Sequence, residues 1–204
     1  MHPEKRIAER PPGRPREFEA DQALDSALVV FSERGYQAAS IHELGLAMKL
    51  TSGSLYKAFG DKRGVYLAAI DRYLSVRRRQ RSDEIAKGAT GRDKLERLLA
   101  FFASSAWGET GRLGCIVVGA ATEIALFDQD LADRIRSSFE RDEAELEELI
   151  RIGQSDGSIA PDSEPEALAC SLLCLTKGMR VVGKTGRTHT EMNAVVTMAM
   201  KLLS

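Results

Sequence analysis

Between Ser40 and Lys62 the chain carries two complete sets of helix start and stop signals, one directly after the other. Ser40-Ile41-His42-Glu43 is a capping box, in which a serine and a glutamate three residues on satisfy the free N–H groups that open a helix. Ile41, Leu44 and Met48 follow as one apolar stripe at helical spacing. Thr51 caps a second, very short helix through Phe59, and Gly60-Asp61 breaks the chain before Lys62. The flanks read the same way. Leu24, Ala27, Leu28 and Phe31 fall at i, i+3, i+4, i+7 ahead of Gly35, a natural helix stop. A long helix follows over about 62–87, with Leu67, Ile70 and Leu74 facing inward.

The pattern continues to the end. Leu95, Leu98, Leu99 and Phe102 mark a helix ending near Trp107. A glycine-containing turn at 108–114 leads into a short apolar helix at 115–127. Residues 131–153 form the next helix, with Ile135, Phe139, Leu146 and Leu149 as its buried edge, and two more cover about 165–184 and 190–203. No alternating run bounded by hairpin turns occurs, so the fold class is all-α.

With 204 residues, 43% of them hydrophobic and 29% charged, the chain is long enough for one large domain or two small ones around a real core. Disordered, collagen-like and disulfide-scaffold classes are excluded. The longest nearly apolar stretches, 115–121 and 167–175, fall far short of the roughly 20 residues that span a bilayer. The polar, Pro-containing N-terminal stretch has no apolar segment of a secretory signal, and three cysteines, an odd number, suit a reducing compartment. A cytoplasmic protein with no membrane partner is expected. The net charge of −1 hides an asymmetry: residues 1–81 hold 15 Lys and Arg against 10 Asp and Glu, residues 82–204 hold 14 against 20. A basic first part on an acidic remainder suggests that one end meets a polyanion.

Two short helices joined by a tight turn, with small polar residues opening the second, are what a helix-turn-helix requires. Thr51, Ser52, Gly53 and Ser54 supply those residues, and the helix N-terminus offers backbone N–H groups to a phosphate. Tyr56 and Lys57 present a hydroxyl and an ammonium one turn on, and Lys62 is placed for the adjoining backbone. Upstream, Pro12-Gly13-Arg14-Pro15-Arg16 reads either as an extended arm whose arginines enter a minor groove or as a tail that touches nothing specific.

This segment resembles the TetR family of bacterial transcriptional regulators. The resemblance rests on Gly35-Tyr36, Ser40-Ile41-His42-Glu43-Leu44, Gly53-Ser54-Leu55-Tyr56-Lys57-Ala58-Phe59 and Asp61-Lys62, and covers roughly residues 20–67. It implies that Ser40 is a cap able to touch a phosphate, that Ser52, Gly53, Ser54 and Lys57 face the groove, and that Tyr56 and Lys62 clamp the backbone. It also implies a basic arm at 1–17, a three-helix DNA-binding domain at 18–63 and a ligand-binding and dimerisation domain at 64–204. Gly45 departs from the more usual alanine, at a cost of about 0.5–1 kcal/mol of helix stability.

Further on, Arg112-Leu113-Gly114-Cys115, Ala120-Ala121-Thr122-Glu123 and Gly178-Met179-Arg180-Val181-Val182 resemble one subgroup of TetR-like regulatory domains. By that resemblance the domain is a helical bundle with a cavity for a small-molecule effector, and its last two helices pair with a second copy. The expected cavity wall is Phe101, Phe102, Trp107, Val118, Phe127 and Leu172, with Thr122 and Thr176 as polar anchors. Ala169, Leu172, Leu173, Thr176, Val196, Ala199, Met200 and Leu203 suit either a homodimer contact or an intramolecular core. The whole is expected to be a dimeric, ligand-released repressor of a palindromic double-stranded DNA operator, with the 62–87 helix as lever.

Other patterns compete. Residues 178–185 match the phosphate-loop spacing G-x-x-x-x-G-K-T, with 124–128 as the rival metal-binding strand end of a nucleotide-binding enzyme. The match lacks the strand before it and the helix after it, and Asp128 reads better as a helix cap. Cys170 and Cys174, at i, i+4, and Cys115 would suit a thiol- or metal-sensing variant, but buried cysteines acting as small hydrophobes are the plainer reading. Arg77-Arg78-Arg79 with Arg81, and the acidic run 140–148, read as solvated helix faces. No metal, cofactor or catalytic residue is expected.

Overall fold

The computed structural model describes the backbone of residues 14–123 and 128–203. Ten α-helices run through these residues, with no strand among them: α1 (Arg14–Ala38), α2 (Ile41–Met48), α3 (Ser52–Phe59), α4 (Lys62–Ile85), α5 (Gly91–Ser104), α6 (Gly108–Leu113), α7 (Ile116–Glu123), α8 (Gln129–Ser155), α9 (Pro165–Val182) and α10 (His189–Met200). Gly35, at φ 77°, ends the regular part of α1, a conformation that a side chain would strain. Ser40 and Glu43 form the expected capping box, Thr51 caps α3 and Asp61 caps α4. Asp128 caps α8, as its sequence context suggested.

The buried residues form two clusters. Ala27, Phe31, Leu44, Leu55, Val65 and Ile70 belong to the first, which also takes in Ile116, Val117 and Ala120 of α7 and Leu131 and Ile135 of α8. Leu95, Leu99, Leu146, Ile150, Leu172 and Val196 belong to the second, built by α5, α8, α9 and α10. α4 runs from one to the other, with Ile70 in the first and Ile85 packed against the second. A division of the chain at 63 therefore cuts through the packing of α4, α7 and α8.

Several expectations change. Residues 14–17, expected in an arm, lie within α1, and Pro15 suits its first turn, where a missing N–H costs nothing. The remaining arm residues, 1–13, lie outside the described part, as do the side chains of Arg14 and Arg16. Residues 108–113 form α6 rather than a turn. A Cβ at Gly111 would lie 2.7 Å from the carbonyl carbon of Ala106 and 3.3 Å from the Gly183 oxygen, so that glycine serves close packing. Gly45 has a similar role: a Cβ there would stand 2.9 Å from the Leu50 carbonyl oxygen, inside the turn joining α2 to α3.

Nor are the charged runs simply solvated. Arg81 and Asp142 are both buried and paired, and Lys177 pairs with the other oxygen of Asp142. Glu145 lies 2.7 Å from Arg81 Nε without alignment for a hydrogen bond. Burial lifts its carboxyl above the usual range against the pull of Arg81. Val196, Ala199, Met200, Leu203, Ala169, Leu172 and Thr176 are buried within one chain, and Leu173 packs against the same cluster. The core reading of that stripe therefore holds. Gly178–Val182 lies inside α9 and Gly183–Thr185 is a 3-10 turn, so no strand precedes the phosphate-loop pattern. No described helix is long and apolar enough to cross a membrane.

Two outcomes follow. Gly45→Ala gains up to about 1 kcal/mol of helix propensity, but forcing a methyl against the Leu50 carbonyl costs about 1–3 kcal/mol. Thermal denaturation should show a net loss. Asp128 is held at about 2, first by its hydrogen bond with Arg63 and then by the Leu131 N–H, against slight burial. Its folded pKa lies below the ~3.9 of an unfolded aspartate, so its stabilisation is complete above about pH 4 and is lost as pH falls towards 2. Glu191, also held at about 2 by the Thr188 N–H and Arg187, titrates across the same range. Asp128→Asn should therefore flatten, without abolishing, the fall in stability measured by denaturant unfolding between pH 4 and pH 2.

Candidate nucleic-acid interface

α3 is an eight-residue helix that buries one side chain, Leu55, and exposes Ser52, Gly53, Ser54, Tyr56 and Lys57. Leu55 fixes it against α2 and α4, so the rest of its surface faces away from the core. Thr51 Oγ1 accepts from the Ser54 N–H at 3.2 Å and lies 3.0 Å from Ser54 Oγ. By helix geometry the first N–H groups, those of Ser52 and Gly53, have no intrahelical partner and remain for an outside acceptor. A Cβ on Gly53 would meet nothing within 4 Å, so this end of α3 is open to close approach. Tyr56 is 53% exposed, with its hydroxyl on the same projecting helix.

Ser40 Oγ donates to Glu43 Oε2 at 2.8 Å and accepts from the Glu43 N–H at 3.1 Å, so its hydroxyl proton is already engaged. These Ser40 contacts hold the Glu43 carboxyl below its usual range. Lys62 is placed differently from expectation. Its Nζ donates to the carbonyl oxygens of Tyr36, Gln37 and Ala39 at 2.9, 3.2 and 3.0 Å and lies 4.7 Å from the centre of the Tyr36 ring. An ammonium has three donors, and all three are used. Lys62 holds the end of α1 to the start of α4, so in the free chain the donors expected to clamp the DNA backbone serve an internal tie. The next residue, Arg63, donates to Asp128 at 2.8 Å and to Asp130 at 2.7 Å, linking the same corner to α8.

A cavity of about 50 Å³ lies among α4, α5, the start of α7, α8 and α9. Of the residues expected to line a ligand cavity, Phe101, Phe102 and Val118 are in its wall. Leu172 and Thr176 are instead buried core residues. Thr122 donates to carbonyls of its own helix, and Trp107 packs edge-on to His189 at 5.1 Å. Phe127 lies outside the described residues. Sequence reasoning missed the polar wall: Tyr73, Arg77, Lys177 and Arg180. Tyr73 Oη lies 3.4 Å from Cys115 Sγ. Burial opposes ionisation of the Cys115 thiol, but Arg180, the Tyr73 hydroxyl and the N–H groups opening α7 outweigh it and hold the thiol below its usual range. Cys170 and Cys174 are exposed, and Glu143 pushes the Cys170 thiol up. Among the described residues no three His, Cys, Asp or Glu side chains are grouped to hold a metal ion.

Lys62→Ala should cost about 2 kcal/mol of unfolding free energy through its lost charged hydrogen bonds, measured by denaturant titration. The salt dependence of DNA binding by the folded variant should keep the wild-type slope.

Residues 23–69 match the profile described as bacterial regulatory proteins, tetR family, and residues 91–199 that of the tetracyclin repressor-like C-terminal domain. The HTH-type transcriptional repressor ComR of Escherichia coli is 28% identical over 194 residues, 93% of this chain and 91% of its own. The transcriptional regulator AcuR of Cereibacter sphaeroides is 28% identical over 169 residues, 82% of this chain and 77% of its own. A cysteine-substituted variant of the TetR family regulator CifR, solved with a 26-base-pair operator duplex, superposes with a TM-score of 0.80 at 31% identity, over 92% of this chain and 98% of that one. The exposed end of α3 and a regulatory-domain match spanning more than half of the sequence lead to one conclusion: this chain belongs to the TetR family and is a helix-turn-helix, DNA-binding transcriptional regulator.

Proposed function

We propose that the protein is a repressor that binds a palindromic operator as a homodimer and releases it when a small effector enters the cavity beside α4. The observation that carries this reading is the continuity of α4. Lys62 and Arg63 at one end hold the corner from which α2 and α3 project, and Tyr73 and Arg77 further along the same helix line the cavity. Arg77 is fifteen residues beyond Lys62, a span of about 22 Å at the rise of an α-helix. A ligand that favours one placement of α4 over another therefore biases the placement of α3.

A single recognition helix reads few base pairs, and two copies related by a dyad read two half-sites about 34 Å apart. Exposed apolar side chains on the last two helices support that pairing: Val181 and Val182 on α9, with Met198 on α10 and Leu202 just beyond it, the latter two 59% and 53% exposed. This surface, rather than the buried Val196 and Leu172 stripe, is the proposed dimer contact. The repressor ComR and the operator-bound CifR variant are similar along nearly the whole chain, which supports the DNA-binding half of the reading. α3 would enter the major groove by its N-terminal end, with Ser52, Gly53, Ser54 and Lys57 towards the bases and Tyr56 and the free N–H groups towards phosphates.

Footprinting on DNA upstream of the protein's own coding region tests this directly. Two chains per protected palindrome are expected. Tyr56→Phe should weaken binding to all operator variants by a similar factor, whereas Ser54→Ala or Lys57→Ala should change which operator sequence is preferred. Weak binding that is indifferent to sequence, and equal in all three variants, would overturn the docking of α3.

A further inference from the structure

A buried guanidinium without a counter-charge is costly, because desolvation falls on a group that cannot shed its proton near neutral pH. The cavity beside α4 holds one of them, Arg180, and beside it the half-buried Arg77. Six cationic side chains contribute to its wall against one carboxylate, Asp142. Arg81 and Lys177 both pair with that carboxylate, and Arg78 and Arg141 are exposed. Arg77 and Arg180 remain, and among the described residues neither has a carboxylate oxygen within 4.0 Å. Arg180 is only 5% exposed. Its Nη2 donates to the Gly114 carbonyl, and its Nη1 is buried with no hydrogen-bond partner. Arg77 donates to Ser105 Oγ at 2.7 Å and to Gln80 Oε1 at 3.3 Å, and its guanidinium carbon lies 3.9 Å from the centre of the Phe101 ring.

The two arginines act on the same space. Burial, with Arg180 adding to it, lowers the proton affinity of Arg77. Arg180 also favours the anionic form of Cys115 in the same wall. The interior is therefore positive and short of negative charge. Its other walls are apolar, from Phe101, Phe102, Val118 and Phe139. The free volume of about 50 Å³ has room for roughly four water-sized groups at about 10–15 Å³ each.

We propose that the cavity binds a small organic monoanion, its carboxylate taken by Arg180 Nη1 and the Arg77 guanidinium and its short apolar body lying against Phe101, Phe102 and Val118. This rests on the reading that the cavity is the effector site and adds the chemistry of the effector to it. A neutral isostere leaves the guanidiniums uncompensated, and an amine of the same size is repelled. An inorganic dianion satisfies the charge but leaves the aromatic walls without a partner.

The test is calorimetric titration of the full chain, free of DNA, with acetate, acetamide, ethylamine and inorganic phosphate. Acetate should bind at least about tenfold more tightly than acetamide, the size of one charge-assisted hydrogen bond, and ethylamine should give no heat of binding. Arg180→Met and Arg77→Gln should each weaken acetate by at least about tenfold, in proteins that still melt cooperatively. Arg180 also supports the Gly114 carbonyl. If Arg180→Met fails to fold, Arg77→Gln and the amide comparison carry the test. Equal binding of acid and amide, no binding of acetate, or tighter binding of phosphate overturns the proposal. Operator release is measured separately. Acetate that binds in an arginine-dependent way but leaves the operator complex intact upholds the anion site and overturns the effector reading.

Discussion

Carbonyl groups at the end of a helix have no partner within it and ordinarily turn to water. In this protein those of Tyr36, Gln37 and Ala39, just past the break at Gly35, are gathered by the ammonium of Lys62, the first residue of α4. The favourable placing of a cation at a helix C-terminus and three hydrogen bonds act together at that point. Phe31, Tyr36 and Tyr66 pack in the same corner, with Tyr66 4.8 Å from each of the other two rings. Arg63 extends the joint to the Asp128 cap of α8. The direction in which α3 projects is therefore set where α1, α4 and α8 meet.

From this joint α4 carries cationic side chains into the other half of the molecule, where the surroundings decide their behaviour. Arg81 meets Asp142 and is neutralised. Arg77 meets an aromatic face and a hydroxyl, and Arg180 of α9 a carbonyl, which satisfy donors without cancelling charge. A net charge near zero thus coexists with a cavity whose wall is predominantly cationic. Charge in this protein is segregated by packing rather than spread over faces.

The all-α class, the short α2 and α3 and their caps were legible because they depend on neighbours three or four residues apart. A serine with a glutamate at N3, or a threonine ahead of a short amphipathic run, acts through contacts that chain proximity guarantees. The same local reading failed at residues 108–113. There Gly111 looked like a turn residue, yet its missing Cβ is required by Ala106 and Gly183. It failed as well at Arg77, Arg81 and the 140–148 run. Helical spacing tells which residues share a face, but not that Asp142 and Arg81, sixty-one positions apart, would be buried against each other.

The sequence by itself determined where helices begin and end, that α3 opens with small polar residues, and that the basic charge lies in the first part of the chain. These follow from backbone hydrogen bonding and side-chain chemistry over one or two helical turns. Only the tertiary structure decided that Lys62 is spent on three carbonyls, that the Leu172 and Val196 stripe is internal, and that Arg77 and Arg180 share a cavity whose one carboxylate, Asp142, is taken by Arg81 and Lys177. Each depends on which distant residue fills the space opposite. That is set by the packing of whole helices, and no spacing along one helix encodes it.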